Sequence, residues 1–447
     1  MRLYQKKECI KTIRLLEEAH GEIVRYVEEK QADKALSLLE QCQQAAISIG
    51  TLVENAQGER TDVVQNLEEY CEIIYQFHEK ILLGVDSNVK QAQEKLRKLL
   101  LKVEAGIRQD IPTQIEVVFL PYKASMWDSL ESVWRAAQED PDCTAFVIPI
   151  PYYDKNPNGS FGKVHYEMNL FPEDVPVVPY DIYDFKTRHP DIIFIHNPYD
   201  DGNYVTSVHP FFYSINLKYY TDKLIYIPYF ILGEIAPSDE TAVSGVEHFC
   251  ITAGVVNADY VIVQSEAMRQ VYVNLLVKYT DESRRSYWQK KILGLGSPKV
   301  DKARGLRRED FAVPDEWQAL FQKKDGDRKK VVFYNTSINA LLWKGEVLLE
   351  KMERVFQIFW KNRRNVVLWW RPHPLMQATI TSMRPQLREK YEQTVRKYKT
   401  AGWGIYDDSA NMDRAIALSD AYYGDMSSIV WLYQKIGKPV MIQKIDF

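Results

Sequence analysis

The residues of this 447-residue chain that could do chemistry collect in its last third. Arg371-Pro-His-Pro374 sets a guanidinium and an imidazole one residue apart between prolines that stiffen the backbone. That spacing can hold two oxygens of a diphosphate and offset charge on a departing nucleotide. Tyr423-Gly-Asp-Met-Ser-Ser428 ends an apolar run and opens a helical one, so Ser427 and Ser428 can offer hydroxyls and free backbone N–H groups together. Such a helix start favours phosphate. Plainer readings exist: Arg371 pairs with Asp407 or Asp408, His373 caps a turn, and the serines cap a helix. Taken together, the basic element and the serine pair favour phosphate over these.

Positioning such residues requires strands that deliver them to one edge. Short β-branched and aromatic runs separated by helical stretches begin at residue 114, a pattern of parallel sheets covered on both faces. The first series reads as strands over Glu116–Leu120, Ala145–Ile150, Ile192–His196, Leu224–Ile231, Tyr260–Gln264 and Ile292–Leu295. A second follows the polar stretch near Lys323–Lys330: Val331–Asn335, Val366–Trp370, Gly404–Tyr406, Ala421–Tyr423 and Pro439–Gln443. Open α/β sheets bind ligands beyond the carboxyl ends of their strands. Asn335-Thr-Ser337, Arg371 to Pro374, Asp407-Asp408 and Gly424 to Ser428 all fall there. The candidate donor-phosphate set is therefore Thr336, Ser337, Arg371, His373, Asp425, Ser427 and Ser428.

The order of Arg371-Pro-His-Pro374, Ser419-Asp-Ala-Tyr-Tyr-Gly-Asp-Met-Ser-Ser428 and Gly437-Lys-Pro439 resembles the carboxyl-terminal half of the CDP-glycerol glycerophosphotransferase family, the teichoic-acid polymerases and primases of GT-B architecture. Gly296-Ser-Pro-Lys-Val-Asp301 and Ser265 add to the likeness, which is scattered over residues 224–443. The resemblance implies two Rossmann-like domains and transfer of glycerophosphate from CDP-glycerol to an acceptor hydroxyl on a polymer or lipid-linked substrate, in cell-wall polymer synthesis. It implies no cofactor and no metal. Two features depart from the family. The stretch Tyr226-Ile-Pro-Tyr-Phe-Ile-Leu-Gly-Glu234 lacks the histidine that serves as base there, and Asn335-Thr-Ser-Ile-Asn339 lacks an arginine.

Replacements for that base are Glu234, His196 and His248. Glu234 is preferred because it directly follows a strand, and with His373 it makes the candidate catalytic pair. Asp200-Asp201 before Gly202 reads as a turn rather than a metal site. Pro149-Ile-Pro-Tyr-Tyr-Asp154, continuing through Asn158, Gly159 and His165, reads as a long loop over the cleft that either stacks an acceptor or packs between domains.

Residues 1–110 hold neither proline nor tryptophan. Val89, Ala92, Leu96, Leu99, Val103 and Ile107, like Val64, Leu67, Cys71, Ile74, His78 and Ile81, recur at helical spacing. About four helices in a bundle or long hairpin are expected, serving as an oligomerisation or docking arm or as a cap. The expected fold is thus α/β, two Rossmann-like domains preceded by an all-α bundle: 1–110 helical, 111–305 on the acceptor side, 306–447 on the nucleotide side.

Composition limits the alternatives. Lys plus Arg number 57 against 61 Asp plus Glu, which disfavours a nucleic-acid partner. Five scattered cysteines without a CxxC pair argue against a disulfide framework or zinc site. No signal-type or membrane-spanning apolar run is present, so a cytoplasmic protein is expected, with peripheral association at the inner membrane face left open. Two rival functions share the architecture: a glycosyltransferase using a nucleotide sugar, and a non-catalytic nucleotide-binding scaffold.

Overall fold

A computed structural model describes residues 1–58, 61–84, 88–409 and 412–444. The chain divides into two compact units, one comprising Met1–Glu116 with Asp140–Thr144 and the other Val117–Glu139 with residues 145–447.

The first unit is built from α1 (Leu3–Glu28), α2 (Ala32–Gln57), α3 (Asp62–Leu82) and α4 (Val89–Gln109). Each packs on the next and α1 closes on α4, so the four form a bundle. The predicted stripes are its inner face: Val64, Leu67 and Ile74 of α3 meet Leu96, Leu99, Val103 and Ile107 of α4 in one core. Thr61 and Asn88 cap α3 and α4 by accepting from the N–H groups of Val64 and Gln91. Within this core His20 Nε2 lies 2.8 Å from the Tyr70 hydroxyl, and burial pulls the imidazole down to about 4.

The second unit carries two large sheets and a small three-stranded one. The strands of the largest are β1 (Ile115–Leu120), β2 (Cys143–Val147), β5 (Ile192–Ile195), β7 (Lys223–Tyr226), β8 (Tyr260–Ile262) and β9 (Ile292–Leu293), in the order β2-β1-β5-β7-β8-β9. The pairs from β1 through β9 are parallel. β10 (Lys330–Thr336), β11 (Val366–Pro372), β12 (Ile405–Tyr406), β13 (Ala421–Gly424) and β14 (Val440–Ile442) form the second sheet, wholly parallel, in the order β12-β11-β10-β13-β14. Every strand expected from the apolar runs is present, and the α/β class with an N-terminal helical region holds.

Two expectations need correction. The run Leu224–Ile231 pairs only as far as Tyr226, because Pro228 has no N–H to continue the ladder. Glu234 therefore stands in an irregular segment and not at a strand end. The stretch read as a long loop is instead β3 (Tyr152–Lys155) and β4 (Phe161–His165), antiparallel, with β3 also pairing β6 (Thr206–Val208). Its turn uses Gly159 at φ +81°, a conformation L side chains resist.

Buried ions and one tight contact tie the halves of this unit together. Lys299 Nζ meets Asp128 at 2.6 Å, and Lys302 bridges Glu131 and Asp413. Gly233 packs against the indole of Trp431, whose ring atoms occupy the space a Cβ at 233 would need.

Candidate functional site

At the carboxyl end of the second sheet the predicted residues separate into two groups. The first gathers where β10 and β13 diverge, the point at which strand order reverses. Asp425 projects between them and accepts from the Ser337 N–H at 2.7 Å and from Gln443. A carboxylate of the chain itself thus takes the backbone N–H of Ser337, one of the residues expected to meet donor phosphate. Burial raises the Asp425 pKa against these hydrogen bonds. Ser427 Oγ accepts from Asn335 Nδ2 at 3.1 Å, Ser428 opens the next helix, and Thr336 Oγ1 accepts from the Trp370 indole at 3.3 Å.

The second group lines a cleft of about 710 Å³. Its second-sheet wall is the end of β11 and β12 with the segments after them: Arg371, His373, Tyr391, Tyr406 and Asp407. Its other wall comes from the residues after β1 and from the β3–β4 hairpin: Lys123, Tyr152, Asp154, Lys163, His165 and Glu167. Thr336, Ser337, Asp425, Ser427, Ser428 and Glu234 do not line it.

Arg371 reaches away from β13 toward β12. Its Nη1 is 2.7 Å from Asp407 Oδ2 and its Nη2 donates to the Ser409 carbonyl, with both ionised side chains 2% exposed. Asp407 also accepts from the Trp369 indole at 3.0 Å and the Ser409 N–H at 3.0 Å. Burial raises its pKa, but Arg371 and these donors outweigh that and hold the carboxyl below its usual range. The Arg371 Nε–H has no partner among the described residues. His373 Nδ1 accepts from the Leu375 N–H at 3.1 Å, which leaves the ring proton on Nε2. Burial and then the Lys123 ammonium lower its pKa to about 4.

The opposite wall is a hydrogen-bonded chain that single-residue inspection missed. Lys123 Nζ donates to the Tyr152 hydroxyl at 2.8 Å and lies 4.3 Å from the centre of its ring. Tyr152 donates to Glu167 at 2.6 Å, and Glu167 accepts from the Ala124 N–H at 2.9 Å. Burial lowers the Lys123 pKa, with Glu167 opposing, while burial and Glu167 hold the Tyr152 phenol far above its usual value. A lone lysine after β1 carries no motif. The available signal was its place at a strand's carboxyl end.

The remaining candidates have structural partners. His196 is fully buried; its Nε2 accepts from the Tyr122 N–H at 3.1 Å and its Nδ1 lies 2.9 Å from Ser129 Oγ. Ser129 donates to the Met126 carbonyl, so the imidazole donates to Ser129 and is neutral, its pKa lowered by burial to about 3. Glu234 accepts from Ser265 Oγ at 2.7 Å and from Gln264 at 3.3 Å. His248 packs against Phe249, ring centroids 3.9 Å apart and planes tilted by 40°. Asp200 accepts from the Ser214 N–H and hydroxyl at 2.8 and 2.7 Å, and the Gly202 N–H donates to the Tyr199 carbonyl to close the expected turn. Among the described residues no group of three His, Cys, Asp or Glu side chains is arranged to hold a metal, and no helix is long and apolar enough to cross a membrane.

No protein-family description and no curated protein sequence matches the chain. Similar solved structures include a Staphylococcus aureus MnaA–UDP co-structure, 10% identical over 74% of this chain and 79% of that one, TM-score 0.44. A putative UDP-N-acetylglucosamine 2-epimerase from Listeria monocytogenes is 15% identical over 74% and 79%, TM-score 0.46. The Neisseria meningitidis UDP-GlcNAc 2-epimerase bound to UDP-GlcNAc is 12% identical over 74% and 82%, TM-score 0.43.

Proposed function

We propose that the chain is a transferase that takes its donor as a nucleoside diphosphate conjugate in the cleft, and that the group carried is a sugar. The observation that supports this is the cleft itself: about 710 Å³ beyond the carboxyl ends of β11 and β12, with five cationic side chains against four carboxylates. That volume suits a nucleotide conjugate. All four carboxylates are already engaged: Asp154 by His165, Glu167 by Tyr152 and at 3.8 Å by Lys123, Asp407 by Arg371, and Asp408 by Lys399 outside the lining. The ammonium groups of Lys123 and Lys163 can therefore meet a diphosphate. The Nε2–H of His373 is a donor suited to an oxygen that gains charge as its bond to the sugar breaks. Tyr391 and Tyr406 add aromatic surface for a base.

Transfer of glycerophosphate from CDP-glycerol is the second reading, favoured by Arg371-Pro-His-Pro374 and Asp425-Met-Ser-Ser428. It ranks below the first because Ser427 and Ser428 lie outside the cleft lining. Calorimetry with UDP, GDP and CDP, followed by incubation with UDP- and GDP-sugars and CDP-glycerol while free nucleotide is followed, tests both. Binding in the micromolar range with release from one donor class is expected. Binding without release from any donor would identify a scaffold, and failure of all three nucleotides to bind would overturn the proposal.

A further inference from the structure

The β3–β4 hairpin carries a dyad that the donor site leaves unused. Tyr152 stands directly across from His165, and Asp154 is its diagonal neighbour on the same face. His165 Nε2 is 2.8 Å from Asp154 Oδ2, and its ring stacks on Tyr152 at 4.9 Å with 14° between planes. The carboxylate fixes the ring within its plane and the phenol fixes its face, while Tyr152 is itself held by Lys123 and Glu167. In the neutral imidazole the Nε2–H donates to Asp154, so the lone pair is on Nδ1. That atom has no hydrogen-bond partner among the described residues, and the His165 side chain is 27% exposed on the cleft wall.

Other candidates for a base are occupied. Both nitrogens of His196 are bonded inside the core, Glu234 is outside the cleft lining, and His373 presents a proton rather than a lone pair. We propose that His165 is the general base of the transfer and Asp154 its positioning residue. This rests on the transferase reading above. The acceptor hydroxyl gives its proton to His165 Nδ1 as its oxygen bonds to the anomeric carbon. The bond from that carbon to the diphosphate oxygen breaks, and the electron pair leaves with the nucleoside diphosphate. Asp154 balances the imidazolium, and the proton is later lost to solvent. The two cleft histidines then have opposite duties, His165 accepting at the acceptor and His373 donating at the leaving group.

The test uses the full chain with 15N-labelled histidine, UDP for binding, and UDP-N-acetylglucosamine, GDP-mannose and CDP-glycerol for nucleotide release with water as acceptor. Wild type should show His165 as the Nε2–H tautomer. H165N should keep nucleotide affinity within about twofold and lose release by about 100-fold or more. D154N should mix the tautomers, keep affinity, and slow release about tenfold, an effect that loss of folding would not separate from binding. H165N releasing nucleotide within threefold of wild type, or an Nδ1–H tautomer in wild type, would overturn the base assignment alone. Wild type that binds no nucleotide would overturn the transferase reading and the dyad's role with it.

Discussion

Arg371 and Asp407 neutralise each other at the carboxyl edge of the second sheet, 2.7 Å apart and each 2% exposed. The residue that looks most like a phosphate clamp in the sequence therefore arrives at the cleft with its charge already matched. What it can still offer a ligand is the Nε–H, which has no partner among the described residues.

Breaking that pair should cost more in stability than in binding. Arg371→Met leaves a buried carboxylate unpaired, and about 3 kcal/mol of unfolding free energy should be lost in urea titrations at pH 7. Because the folded Asp407 pKa is depressed, its contribution is complete above the unfolded value of about 3.9 and disappears as pH falls through the folded value. Arg371→Met should flatten the stability profile only in that acidic window. A substitution that leaves the urea midpoint unchanged would remove Arg371 from the core ledger.

Buried neutral imidazoles set a second, milder acid limit. His196 takes up no proton in the folded state until about pH 3, whereas the unfolded chain protonates near 6.5. Stability is therefore full above 6.5 and falls as the pH drops from there toward 3, by at most about 1.4 kcal/mol per pH unit. His20, in the bundle, acts in the same direction with its value near 4. Thermal unfolding between pH 7 and 5 should show the slope, and His196→Asn should reduce it while lowering the midpoint overall.

Lys123→Met should weaken nucleoside diphosphate binding about tenfold, equivalent to about 1.4 kcal/mol, since a buried ammonium is little screened. Lys163, exposed on the hairpin, should matter less, and its share should vanish in about 0.5 M salt. Calorimetry at two salt concentrations separates the two lysines; a Lys123 effect that vanishes in high salt as that of Lys163 does would contradict the buried setting of Lys123.

Gly159→Val should loosen the hairpin, because a β-branched residue at φ +81° is strained by about 1–2 kcal/mol. Hydrogen exchange at Tyr152–Lys155 should accelerate about tenfold or more while exchange in β10 and β11 stays as it was.

The parallel strands were legible because each is a short run buried on both faces, and such runs differ plainly from the amphipathic helices between them. The hairpin was not, since Pro149, Pro151, Asn156, Pro157, Asn158 and Gly159 dilute its strands with turn residues; Asn158-Gly159 between Tyr152–Lys155 and Phe161–His165 was the usable signal. Arg371 and His373 could be picked out because both are on one strand end. The plainer pairing of Arg371 with Asp407 was also legible and is the one found; what the sequence left open was which reading wins, and β12 lying beside β11 decides it. Strand position alone also misled at Glu234, where Pro228 ended the ladder early, and at Ser427, which faces Asn335 and Tyr422.

The seat of Trp431 against Gly233 has a mechanical corollary. With an aromatic ring set against bare backbone, the lobes carrying the two sheets meet at that joint with no room for a side chain between them. Even a methyl group at 233 would act as a shim, pushing the indole off its seat and the two lobes apart at that point.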